Sequence, residues 1–204
     1  NSAFALSAIG PSGFLVNVLP RGPSSSSAIG RIGSGPPRLL DLWSSSLAMV
    51  LAICARGGSK GVKNKNIKKL NGIPLIAHTI FQAKKSRIFT KIVVSTDSKK
   101  IQNISKKFGA ENWFIRPRYL SSDKSEKQLA VRHLLISAEK YYKIKFDVIV
   151  DLDVTCPLRK INDIKLSFKK FKDTKSDVLF SICESKKNPY FNMVEIINNK
   201  IRLV

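Results

Sequence analysis

The apolar run Val50–Cys54 empties directly into Ala55-Arg56-Gly57-Gly58-Ser59-Lys60-Gly61, followed by Val62-Lys63-Asn64-Lys65-Asn66. No other junction constrains the chain as much. A strand that opens into a glycine-rich, basic loop suits phosphate binding. Gly57, Gly58 and Gly61 permit positive φ and close backbone approach, so successive amides can point at phosphate oxygens, and Arg56, Lys60 and Lys65 supply positive charge. The same residues also suit a flexible basic turn. The loop has neither the Walker A spacing nor the Gly-x-Gly-x-x-Gly fingerprint, which argues against a P-loop NTPase and a nicotinamide enzyme.

From Met49 onward, apolar runs alternate with helical patterns, the expectation for parallel βαβ units and an α/β sheet. The pattern predicts strands at Val50–Cys54, Lys91–Ser95, Asn112–Ile115, Phe146–Leu152 and Asp177–Cys183, with Phe146–Leu152 as the clearest central strand. It predicts helices at Pro74–Lys85, Ser98–Phe108 closed by Gly109, Glu126–Tyr142 and Ile161–Phe171. Phe191–Ile197 and Lys200–Val204 read as a hairpin around Asn198-Asn199. Residues 1–47 lack lysine, are rich in Ser, Gly, Pro and Ala, and read as a disordered or foreign extension. Residues 48–204 read as one domain, incomplete at its C-terminus because the pattern stops mid-hairpin.

The formal charge of +22 invites a nucleic-acid reading. The lysines, however, are scattered through every segment after Met49 without a nucleic-acid-binding motif, so solvated helix faces account for most of them. A non-catalytic polyanion-binding fragment remains as the alternative class. No apolar run of about 18 residues could cross a bilayer. The 3 cysteines are widely spaced, without zinc or disulfide pairing, and fit a reducing, cytoplasmic compartment. Cys54 and Cys183 read as small buried hydrophobes.

Asp151, Asp153 and Thr155 lie at the carboxyl end of a strand, where open α/β sheets place their ligand crevice. Two carboxylates leaving an apolar strand need a Mg²⁺, a lysine or a solvent-facing rim, and the reading taken is the rim of an active site. His78 reads as a structural histidine on a packed helix. The pairs Trp113-Phe114 and Tyr141-Tyr142 read as core rather than as base-stacking platforms.

Four motifs in order carry a resemblance: Ala55–Gly61 with Lys65-Asn66, Val94-Ser95-Thr96-Asp97, Arg116-Pro117 with Ser122-Asp123, and Leu152-Asp153-Val154-Thr155-Cys156-Pro157-Leu158-Arg159. Together the segment resembles the acylneuraminate cytidylyltransferase family, the CMP-sialic acid synthetases, from Met49 to about Ile197. The resemblance implies a Rossmann-like three-layer sandwich of the nucleotide-diphospho-sugar transferase type with a mostly parallel sheet. It implies transfer of CMP from CTP to an acidic nonulosonic sugar with release of pyrophosphate, Mg²⁺ as cofactor, and a homodimer in the complete protein. Related sugars, legionaminic, pseudaminic or 3-deoxy-octulosonic acid, are the alternatives.

On these residues, the family pattern makes Arg56, Lys60 and Lys65 catalytic, with Ala55, Gly57, Gly58, Ser59 and Asn66 in the loop that holds the CTP phosphates. Arg116, Asp123 and Ser125 match the region that recognises the cytidine end, and Asp153 and Thr155 the nucleotide side of the fourth motif. Many members carry Gln where this chain has Asp153, and Ser where it has Cys156. The metal ligands are expected beyond Val204.

Overall fold

A computed structural model describes residues 47–59, 61–181, 194–197 and 200–203. In chain order these form strand β1 (Met49–Cys54), the short strands β2 (Lys69–Leu70) and β3 (Ile73–Pro74), helix α1 (Leu75–Ser86), strand β4 (Lys91–Ser95), helices α2 (Lys99–Lys107) and α3 (Lys127–Tyr142), strand β5 (Val148–Asp151), helix α4 (Ile161–Thr174), and strands β6 (Val194–Ile197) and β7 (Lys200–Leu203).

β1 pairs in parallel with β4 on one side and β5 on the other, giving the order β4-β1-β5. Its side chains alternate between two apolar layers. Met49, Leu51 and Ile53 face α1, α2 and α4 through Ile76, Ile80, Ile101, Ile164 and Phe171. Val50 and Ala52 face α3 through Val131, Leu134 and Ala138. Burial on both faces explains why the strand reads as continuous apolar sequence without alternation. The result is a three-layer sandwich with a parallel sheet, as the resemblance implied.

The helix ends follow local chemistry. Ser98 caps α2 by accepting from the Ile101 amide. Beyond its C-terminus, Gly109 at φ 87° lets its own amide reach Lys106 O at 2.9 Å and the Ala110 amide reach Ser105 O at 3.1 Å, closing the helix where the sequence predicted. Asn71 and Gly72, both with positive φ, turn the β2–β3 hairpin. His78 Nε2 lies 3.0 Å from Leu70 O and ties that hairpin to α1, the structural role expected of it.

Three expectations are corrected. β1, rather than the strand containing residues 146–152, is central among the described residues, because it alone pairs on both sides. Residues 112–115 form no strand. Only Glu111 bridges to Val93, after which the Asn112 side chain accepts from Gln102 Nε2 at 2.7 Å and the chain turns away from the ladder. Residues 177–181 also lie outside any strand, although Leu179 is buried in the core, since an apolar side chain can be buried without its backbone joining a ladder. Cys183 and the turn at residues 198–199 lie outside the described residues, while β6 and β7 pair antiparallel as expected.

Leu134 is fully buried where α3 meets the sheet. Leu134→Ala is expected to cost about 2–5 kcal/mol of unfolding free energy in a urea melt, and a loss below about 1 kcal/mol would contradict this packing.

Candidate functional site

The chain leaves β1 to build β4 on one side and returns to place β5 on the other, so the connections diverge between β1 and β5. A cleft of about 300 Å³ opens at the carboxyl ends of these strands, lined by Arg56, Ser59, Lys65 and Asn66 on one wall, by Arg116, Asp123 and Ser125 on the facing one, and by Cys54, Lys127, Asp153 and Thr155 between them. This is where an open α/β sheet leaves a crevice between diverging crossovers.

The basic loop forms one wall. The Ala55 amide donates to Ser95 O at 3.0 Å and extends the β1–β4 ladder by one bond, so Ala55 is buried in the core and does not reach the cleft. The Gly57 amide donates to Asp97 Oδ1 at 2.7 Å. A Cβ at Gly57 would lie 3.0 Å from Ser98 Cβ, so the close approach to the start of α2 favours glycine there. Neither Gly57 nor Gly58 adopts positive φ. The expectation that the Gly57 amide faces a ligand is therefore corrected: Asp97 of the second motif takes it and anchors the loop. Gly58 borders a shallower recess beside the cleft with Ser59 and Asp123.

Arg56, Ser59, Lys65 and Asn66 do line the cleft. Asn64, at φ 56°, starts the turn of 3-10 helix Lys65–Ile67 that presents Lys65 and Asn66. Asn66 Nδ2 donates to Arg56 O at 2.9 Å and orders the loop. Arg56 Nη1 meets Asp123 Oδ1 at 2.6 Å, linking the loop to the facing wall. Lys60 lies outside the described residues.

On that facing wall, Arg116 is buried rather than solvated; its Nε donates to Ser121 Oγ at 3.0 Å, and its amide donates to Thr96 O at 2.8 Å. Ser125 brings to the cleft a buried hydroxyl with no protein partner, a group that a bound molecule would satisfy. Asp123 and the exposed Thr155 complete the predicted set. The aromatic pairs lie elsewhere: Trp113 stacks on Tyr141 at 4.2 Å and also packs against Tyr142 beside α3, with Tyr141 more exposed than a core reading expects.

Sequence reasoning missed the residue that organises the floor. Lys127, the first residue of α3, places Nζ 2.5 Å from both Asp151 Oδ2 and Asp153 Oδ1. Of the three ways to satisfy these carboxylates the sequence suggested the rim, and for Asp151 that is corrected: it is fully buried and satisfied by a lysine, whose position was not foreseen because it comes from a helix 24 residues earlier than Asp151. The Asp151 side chain is fully buried, and burial pushes its carboxyl up to about 6 against the opposing pull of Lys127. The Lys127 ammonium is held above its ordinary range by the same two carboxylates, which outweigh burial. Cys54 ends β1 beside them, and burial together with the Asp151 charge pushes its thiol up to about 12, so it is no nucleophile near neutral pH. Arg159 steadies the loop from behind, donating to Asp153 O at 3.0 Å and to Gln82 Oε1 at 3.2 Å.

The cleft thus offers cations at its mouth and wall, an orphan hydroxyl, and a floor whose charges compensate one another. These features suit a polyanionic ligand with a small polar head. The described residues do not fit a resident divalent ion. Asp151 and Asp153 are both engaged by Lys127, and among the described residues no group of three or more His, Cys, Asp or Glu side chains converges. No helix among them is long and apolar enough to cross a membrane.

The profile of the cytidylyltransferase family matches residues 50–202. The chain is 44% identical over 153 residues to post-translational flagellin modification protein B of Campylobacter coli, covering 75% of this chain and 65% of that protein. It is equally 44% identical over 153 residues to the CMP-N,N'-diacetyllegionaminic acid synthase of Campylobacter jejuni, again over 75% and 65% of the two chains. It therefore spans about two thirds of the length of these relatives. Among solved structures, a CMP:2-keto-3-deoxy-manno-octonic acid synthetase complexed with CTP superposes with a TM-score of 0.50 at 20% identity, over 63% of this chain and 48% of that one, a likeness of fold.

The Asp151 carboxyl gives the site a pH signature. With its folded value raised to about 6 from an ordinary 3.8, the folded state binds the proton more tightly than the unfolded state does. The group's contribution is therefore fully present below the ordinary value and is lost as pH rises through about 6. Urea melts of wild type and Asp151→Asn are expected to show the wild type gaining relative to the variant as pH falls from about 7 to about 4. A pH-independent difference would contradict the assignment.

Proposed function

We propose that this chain, which belongs to the cytidylyltransferase family, carries the CTP-binding half of an enzyme that transfers CMP to an acidic nonulosonic sugar and releases pyrophosphate. The observation that carries this reading is the convergence of Arg56, Lys65, Arg116 and the orphan Ser125 hydroxyl on one cleft at the sheet's carboxyl edge, inside the stretch that the family profile matches. In this reading the sugar's anomeric oxygen bonds to the α-phosphorus of CTP as the bond to the pyrophosphate oxygen breaks. Phosphoryl chemistry of this kind asks the protein for position and charge rather than for covalent work.

Arg56, Ser59, Lys60 and Lys65 hold the phosphates and stabilise the departing pyrophosphate. Asp123 keeps the Arg56 guanidinium over the cleft until phosphate oxygens replace its carboxylate, an exchange of one charge-assisted partner for another. Arg116, Ser125 and Thr155 take the cytidine end, where a few directed hydrogen bonds in a small cleft suffice to prefer one base. No step is routed through a divalent ion, because the described residues leave no carboxylate pair free for one. We assign the activity to the cytoplasm, the compartment that the wide spacing of the three cysteines in the sequence suggests. For the sugar, the relative named for N,N'-diacetyllegionaminic acid supports a diacetylated nonulosonic acid over sialic acid itself.

CTP with Mg²⁺ is expected to raise the melting temperature of the full chain more than UTP, ATP or GTP does, and Arg56→Ala is expected to weaken CTP binding by about 10–100-fold in calorimetry. Equal shifts with all four nucleotides, or an Arg56→Ala variant that binds CTP as wild type does, would overturn the reading.

A further inference from the structure

Lys127 sits where a lysine is electrostatically out of place. It is the first residue of α3, and the first turn of that helix holds no acidic residue. Unpaired amides make a helix N-terminus partially positive, so a cation there is disfavoured by the helix itself. The ammonium is instead held from outside the helix, by Asp151 at the end of β5 and Asp153 beyond it, each at 2.5 Å. These elements are contributed by distant parts of the chain, and the ammonium contacts both carboxylates, with the charge of the Arg159 guanidinium acting on the same pair. Asp151 has no solvent to screen it, because its side chain is fully buried. Asp153 lines the cleft, with its backbone carbonyl bound by Arg159 and its carboxylate met by Lys127.

We propose that Lys127 is a positioning residue that stands as the cation between Asp151 and Asp153, holding the Asp153 carboxylate at the cleft floor in the place a bound metal ion would otherwise take. The consequence for the nucleotide rests on the CTP reading above; the cation role does not.

Lys127→Ala exposes the two carboxylates to each other and makes the vacated position a weak divalent-cation site. Melting the full chain without nucleotide separates this from an ordinary ion pair. Lys127→Ala is expected to melt below wild type and to recover by about 3 °C or more with about 10 mM Ca²⁺, while NaCl at matched ionic strength does not restore it. Wild type should not gain comparably, Lys127→Arg should melt near wild type, and Lys127→Ala/Asp153→Asn should lose the Ca²⁺ response. If Lys127→Ala shows no cooperative transition alone, its appearance on adding Ca²⁺ is the supporting result and its continued absence the overturning one. A Lys127→Ala variant that Ca²⁺ raises no more than wild type overturns the proposal. Because no nucleotide is present, that failure is distinct from failure of CTP to shift the wild-type melt.

Discussion

β1 is covered on both faces and paired on both edges, and every feature of the cleft is placed relative to its carboxyl end. A strand so enclosed can give up neither a ladder partner nor an apolar side chain, which makes it the most rigid reference in the fold. The Ala55 amide extends that rigidity one residue into the loop by bonding to Ser95, and Gly57 carries it further by bonding to Asp97. Arg56 is thus placed between two anchored neighbours, with only its side chain left to reach across the cleft. A long guanidinium on a fixed base can meet an anion at small entropic cost, because the backbone has already been ordered by folding.

The charges of the site divide by burial. At the mouth, Arg56 and Asp123 pair while both side chains are roughly two-fifths exposed, so water and salt weaken their attraction and the pair can open for a ligand. On the floor, Asp151 is sealed from water and its pairing with Lys127 cannot be exchanged without leaving a buried charge behind. One contact is suited to exchange and the other to permanence. A binding cleft needs both, since a polyanion must find cations that are available and a floor that does not rearrange when it arrives.

The sequence was most readable where local pattern and tertiary role coincide. Val50–Cys54 is apolar throughout because it is buried on both sides, and Gly109 ends α2 through backbone geometry that depends on its immediate neighbours. Reading failed where a role is assigned from a distance. Residues 112–115 have strand-like composition, yet the Asn112 side chain bonds to Gln102 and draws the chain off the ladder after one bridge. Gly57 looked like a donor to a ligand because the competing acceptor, Asp97, lies 40 residues away. Arg116 could be read as solvated or as part of the site, and only the packing of its neighbours decides for burial. The Asn71-Gly72 turn went unread although Asn-Gly is a local hairpin signal, whereas Lys127 carried no signal, since one lysine in a lysine-rich chain looks like any other.

That last case bears on how a charge of +22 should be understood. Most lysines of such a surface are interchangeable, held in water with little preference for a partner. A lysine acquires a specific role when the alternative to its presence is an uncompensated carboxylate out of reach of water, and Asp151 creates that situation. The informative quantity is therefore the burial of the acid, not the abundance of the base. With 14 acidic residues against 36 basic ones, each buried carboxylate has cations to draw on, and the fold selects among them by which backbone passes within reach of the floor. The start of α3 passes there because the crossover from β4 to β5 must cover the second face of β1. The same packing that shields β1 from water delivers the cation that its neighbouring strand needs.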